Sequence, residues 1–394
     1  MTAEPASPKS IVDWLIDGAR SAPLPPDVLT ELCVRLTAIG FPIWRAVVFI
    51  RTLHPNVVGR RFVWTPDKGT VVNEGTFELL ERDVFRNSPM AQLKSADMVR
   101  RRLADPDCPM DYPILHDLRK EGVTDYVISP FRFTNDQVHF ASWATRQPGG
   151  FTDAEMAIIE SVTAPLARVA EIRAAHRMAG NLMSTYVGPN AGERVLAGQI
   201  RRGFTEQIHA AIWLSDMRGF TKLADRLAPQ ALVDLLNRYF DCQVPAITEH
   251  GGEVLKFMGD GLLAIFPIGP GLDAADRCAA ALKAAHDARA KVAALQATAD
   301  DAEAVRFGLA LHIGDVLYGN IGSGNRLDFT CIGPAVNLAA RLEKLAGTLG
   351  RTVLASQEFA GHCREFVPIG NFAVAGFAEQ QMVFGLSDEG KETQ

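Results

Sequence analysis

The chain has 394 residues, 47% of them hydrophobic, and 40 Lys and Arg against 46 Asp and Glu give a net charge of −6. That length and apolar content predict two domains with ordinary cores, and the acidic balance argues against nucleic-acid binding, which leaves a basic face as its footprint. Six cysteines without a C-x-x-C pair predict reduced thiols in a cytosol, and the lack of a secretory signal or of an apolar span of about 18 residues predicts a soluble protein with no membrane partner.

Residues 1–25 read as an N-terminal tail or helix. Beyond them Phe41–Ile50, Tyr126–Phe133 and Val138–Ala144 read as core strands. Thr152 and Glu155 form a capping-box pattern for a helix running on through Ile158, Val162 and Leu166. The Arg100–Arg102 run and the Arg201-Arg202 pair read as solvated faces, Cys108 as a loop cysteine, and His116 and His139 as packing residues. Strands followed by Gly-Gly-Phe-Thr-Asp-Ala-Glu and a long closing helix resemble a GAF-type sensory domain, which the resemblance places at residues 26–175. Its small-molecule ligand or stimulus is unknown. From about 160 to 202 the pattern is helical, with Leu166, Val169, Ile172, Met178, Leu182 and Met183 on one stripe. Two readings stay open, a dimer-forming signalling helix and a cap on the N-terminal domain. Residues 176–204 read as a linker broken at Gly188-Pro189-Asn190.

The chemistry concentrates further on. Ala210–Leu214 reads as a buried strand leading into Ser215-Asp216-Met217-Arg218-Gly219-Phe220-Thr221, where a carboxylate is followed by a Gly turn and a helical pattern. Free N–H groups at that helix start, around Gly219, Phe220 and Thr221, suit a triphosphate. Residues 251–267 read as a hairpin about Gly259-Asp260-Gly261, whose tip offers a second acid. Either acid alone is an ordinary turn residue. Together they suit Mg²⁺, a hard cation held by one or two carboxylates plus substrate phosphates. Lys256 stands among Val254, Leu255, Phe257 and Met258, either snorkelling to an edge or aimed at a polar ligand. Phe329–Gly333 reads as a strand and Pro334 opens a helix on which Asn337 and Arg341 lie one turn apart. Their apolar neighbours predict a buried or site-facing pair.

Residues 205–388, read through these motifs, resemble the class III nucleotidyl cyclases. The resemblance implies an α+β fold, a ferredoxin-like βαββαβ palm beside the α/β GAF-like domain, and conversion of ATP to 3′,5′-cyclic AMP and pyrophosphate. It implies that Asp216, Asp260 and the Met217 carbonyl hold two Mg²⁺ or Mn²⁺ ions, that Lys256 and Thr330 read the purine, that Asn337 orients the ribose, and that Arg341 meets charge at the reacting phosphate. A Lys can donate to adenine N1 but cannot accept from guanine, which favours ATP over GTP. The family's site lies between two head-to-tail domains, so one chain carrying every position implies a homodimer. Residues 193–202 resemble the family's short transducer. One departure is Ala375, where many relatives carry a phosphate-contacting lysine; Arg218 or Arg306 is a possible substitute. Guanylate cyclase and a catalytically silent nucleotide-binding module are the alternatives, and a diguanylate cyclase is disfavoured because its Gly-Gly-Asp-Glu-Phe tip is missing.

Overall fold

The computed structural model describes residues 7–92, 98–297, 305–324 and 326–389. The chain divides into two units, Met1–Leu182 and Met183–Gln394. Among the described residues no helix is long and apolar enough to cross a membrane, and all six cysteines are free thiols.

The first unit opens with helices α1 (Pro8–Ile16) and α2 (Pro25–Ala38) and strands β1 (Arg45–Arg51), β2 (Gly59–Thr65) and β3 (Gly69–Gly75). A 3₁₀ turn (Phe77–Glu81), α3 (Asp83–Arg86), α4 (Pro89–Gln92), β4 (Val99–Arg101), α5 (Pro113–Lys120), β5 (Asp125–Arg132) and β6 (Val138–Thr145) follow. The strands form one antiparallel sheet in the order β3-β2-β1-β6-β5-β4. Side chains alternate across it. Val48, Phe62, Val127, Phe131, Ala141 and Trp143 face α1, α2 and α6 (Asp153–Val187) in one core, where Ile11 and Leu15 of the N-terminal segment are also buried. Sequence reading misses β2, β3 and β4, because polar residues such as Arg60, Arg61, Asn73 and Glu74 interrupt their apolar alternation.

Three other expectations are corrected here. Arg100 is not solvated: its guanidinium pairs with the fully buried Asp125 at 2.6 Å and donates to the Phe151 carbonyl, while Arg101 pairs with Asp111. His116 is exposed on α5, not packed. His139 is buried, but only its Nδ1 is satisfied, accepting from the Arg51 N–H at 3.2 Å. The capping box forms as read, Glu155 accepting the Thr152 backbone N–H at 2.7 Å and Thr152 the Glu155 backbone N–H at 3.2 Å. Along α6, Leu166 and Val169 are buried in the first unit's core, whereas Ile172 is 55% and Leu182 37% exposed. The proximal part of the stripe therefore caps that core.

The second unit contains α7 (Pro189–Leu196), β7 (Thr205–Met217), α8 (Phe220–Arg226), α9 (Pro229–Glu249), β8 (Glu253–Met258), β9 (Gly261–Ile268), α10 (Ala274–Ala297), β10 (Phe307–Ser323) and β11 (Arg326–Ile332). It closes with α11 (Pro334–Leu349), β12 (Val353–Ser356), α12 (Gln357–Ala360), β13 (Phe366–Phe372) and β14 (Gln381–Leu386). The mixed sheet runs β13-β14-β12-β10-β7-β9-β8, with β11 paired to β10. The apolar run of β7 sits at its centre and splits by parity: Ala211 and Trp213 pack toward α9 and α10, Ala210, Ile212 and Leu214 toward α7 and α11. Burial on both faces explains why the run reads as continuous rather than alternating. The strand extends well beyond that run, since its polar first residues pair with the still longer β10.

Candidate active site

Asp216 is the penultimate residue of β7, on the α11 face of the sheet and half-buried. Its neighbours across the ladder are glycines. Gly308 of β10 lies directly opposite, and on the β9 side a Cβ at Gly261 would stand 3.1 Å from Asp216 Oδ1. The missing side chains leave room at this strand end for a second carboxylate. It comes from the two-residue turn between β8 and β9, where Gly259 takes φ 71°, a left-handed backbone that favours glycine, and Asp260 follows. The two carboxyls share a hydrogen bond.

Burial first, then the charges of Asp260 and Glu343 and that shared hydrogen bond, push the Asp216 carboxyl up to about 7. Two adjoining acids, the carboxyl of one raised in this way, are a donor set short of a positive charge. Among the described residues no three His, Cys, Asp or Glu side chains converge as a metal cage. Two carboxylates fit a hard cation that completes its shell with water and phosphate oxygen.

Glu343, on the buried side of α11, adjoins this pair, and its carboxyl too is raised by burial despite the nearby Arg218. The Arg218 guanidinium donates to the Arg351 carbonyl, and its Nε is buried without a partner among the described residues. Burial holds its pKa below the usual arginine range. A Cβ at Gly308 would come within 2.7 Å of Glu343 Oε1, so the arrangement depends on that glycine. Sequence reading missed Gly308 and Glu343, and took Gly261 only as part of the hairpin turn. The only available signal was a glycine or acid in an apolar element. Arg306 is exposed and, through its carbonyl, accepts the Arg218 N–H at 2.7 Å. Met217 is buried, Thr221 exposed, and Phe220 opens the seven-residue α8 behind Gly219, whose φ is 73°.

The other predicted residues gather elsewhere. A register shift at Leu255 in β8 precedes Lys256, whose ammonium lies 3.5 Å from the exposed Asp328 carboxylate of β11. Two residues along β11, Thr330 is buried and its hydroxyl has no hydrogen-bond partner among the described residues. Asn337 and Arg341 are exposed on α11, so of the two expectations, buried or site-facing, the first is not met in the single chain. Among the described residues no hydrogen bond or ion pair joins Lys256, Thr330, Asn337 or Arg341 to the acid pair.

A buried acid that sequence reading passed over ties this region to α7. Glu253 of β8 accepts from Asn190 Nδ2 at 3.0 Å and from the Tyr318 hydroxyl at 2.9 Å, while Arg194 lies over the Tyr318 ring.

Residues 205–384 match the family model of the adenylate and guanylate cyclase catalytic domain, and a class III adenylate/guanylate cyclase catalytic domain thus occupies this stretch. Over 173 residues the chain is 31% identical to an adenylate cyclase of Anabaena cylindrica, covering 43% of this chain and 34% of that protein. It is 30% identical to adenylate cyclase 1 of Rhizobium meliloti over 167 residues, 41% of this chain and 25% of that one. It thus spans about a third or less of those relatives' lengths. Among solved structures, a bacterial light-regulated adenylyl cyclase is 25% identical with a TM-score of 0.49, covering 60% of this chain and 67% of that one.

Proposed function

We propose that the protein converts ATP to 3′,5′-cyclic AMP and pyrophosphate. The observation that carries this reading is the meeting of Asp216 and Asp260 at adjoining strand ends, where burial and the neighbouring acids raise the Asp216 carboxyl to about 7. Asp216, Asp260 and the Met217 carbonyl would hold the divalent cations. The chemistry that Mg²⁺ or Mn²⁺ supplies when bound is charge neutralisation at the attacking 3′-oxygen and the departing pyrophosphate. Lys256 donates to adenine N1, and the partnerless Thr330 hydroxyl supports its role as acceptor for the adenine amine. Asn337 orients the ribose, Arg341 meets charge developing at the α-phosphate, and the backbone of Gly219, Phe220 and Thr221 faces the remaining phosphates. With the Arg218 guanidinium engaged by the Arg351 carbonyl, the exposed Arg306 is the better substitute for the lysine absent at Ala375.

The exposure of Asn337 and Arg341 supports a homodimer in which they serve the acid pair of a second copy. In the domain organisation we propose, residues 205–388 are catalytic, 176–204 are a transducing linker and 26–175 a GAF-like sensory domain. The six-stranded antiparallel sheet supports that last assignment.

Incubating the full chain with ATP or GTP, in Mg²⁺ or Mn²⁺, and separating the products tests the reading directly. Cyclic AMP should dominate, and Lys256→Glu with Thr330→Cys should move the ATP/GTP ratio of kcat/KM toward GTP. No cyclic product with any pairing of nucleotide and metal would sink the activity; cyclic GMP alone would sink the base assignment.

A further inference from the structure

The first unit's sheet has a second face. Along β1, Arg45, Val47 and Phe49 point away from the helical core, and the ladder sets Ser142 opposite Val47, Phe140 and Arg61 opposite Phe49, and Asn73 opposite Arg61. Over this face lie Phe85 and Met90, from the short helical turns after β3, and Leu118 of α5. Between them is a cavity of about 390 Å³, within the size range of small-molecule sites.

Its charge is unbalanced. Arg45 and Arg61 both line it, and neither has an acid partner among the described residues. Glu74, the one acid in the wall, is ion-paired with Arg60. Although Arg61 is open to solvent on one side, the wall around it and then the Arg45 charge hold its guanidinium below the usual range, and no acid offsets them. Arg45 is half-buried and Arg61 exposed, and both border one apolar, aromatic-floored space. With no acid in reach among the described residues, their charge is left to a ligand. The Ser142 hydroxyl in the floor offers a further polar contact.

We infer that this cavity binds a small organic acid, its aromatic or branched apolar body on Phe49 and Phe140 and its anionic group against Arg45 and Arg61. The site stands independently of the reading of the second unit.

Two fluorescent probes share one aromatic body: 1-anilinonaphthalene-8-sulfonate carries an anion and N-phenyl-1-naphthylamine does not. Titrated into the full-length chain, the sulfonate should bind saturably. Arg45→Gln and Arg61→Gln should each weaken it about tenfold, on the scale of one charge-assisted contact, and leave the neutral probe's affinity unchanged. Arg60→Gln, whose side chain belongs to the opposite face, should alter neither. Arg61 is open to solvent and least able to disturb the fold, so its result stands even where Arg45→Gln melts early. Wild-type sulfonate affinity in Arg61→Gln, equal loss of both probes, or no saturable binding would each overturn the inference.

Discussion

At the scale of single residues, Asp216 couples the site to stability. Its folded-state pKa of about 7 stands above the ordinary 3.8, so the folded chain favours the protonated form. The sign follows from linkage: its contribution is fully present below about pH 4 and is lost as pH rises toward 7. In EDTA, Asp216→Asn should therefore melt above wild type at pH 8, with the gap closing toward pH 4. Adding Mn²⁺ should raise the Tm of wild type and not of the variant, and cyclase activity should fall to less than about a tenth. Thermal melts across pH, with and without metal, check the site apart from turnover. His139 acts in the other direction. Burial first, then Arg51, lower it to about 4, so its contribution is present above about 6.5 and lost as pH falls toward 4. Urea midpoints of the wild type between pH 7 and 4.5 should decline, and His139→Leu should flatten part of that slope.

Elements are held by polar contacts that periodicity does not reveal. Arg100 joins β4 to Asp125 of β5 and to the Phe151 carbonyl before α6, while Asp125 also accepts the Phe151 N–H at 3.0 Å. Arg100→Ala leaves a fully buried carboxylate short of its counter-charge and should cost about 3 kcal/mol. Arg101→Ala removes a pair nearer the surface and should cost about 1 kcal/mol or less. Urea denaturation of the two variants compares them. In the second unit, Ala191 of α7 is fully buried and Asn190 reaches Glu253. A chain beginning at Met183 should consequently melt several degrees above one beginning at Thr205, since about 1 kcal/mol shifts a domain of this size by roughly 2–4 °C. Equal melting temperatures would show that α7 adds nothing to the fold.

For the molecule as a whole, the homodimer we propose sets an arithmetic test. If Asp216 and Asp260 of one protomer act with Asn337 and Arg341 of another, Asp216→Ala and Asn337→Ala chains should each be nearly inactive alone. After subunit exchange, half the dimers are mixed and each has one intact site, so about a quarter of wild-type activity should return. A site contained in one chain gains nothing from mixing. Finding no gain after exchange is confirmed by mass would refute the shared site.

The sequence by itself determined the acids, the hairpin that carries Asp260, the apolar run of β7 and the capping box of α6. Each is local: a turn needing glycine, a strand buried on both faces, or a cap spanning three residues leaves its mark within a short window. What only the tertiary structure decided was non-local. Arg100 reads as one of three solvated cations until β5 brings a buried aspartate beside it, and β2 and β3 go unread until the ladder pairs them. Gly308 and Gly261 are distant in sequence, and only the β10-β7-β9 register makes them the two flanks of Asp216. The exposure of Asn337 and Arg341 was equally hidden, because apolar neighbours on a helix do not say which face the sheet covers.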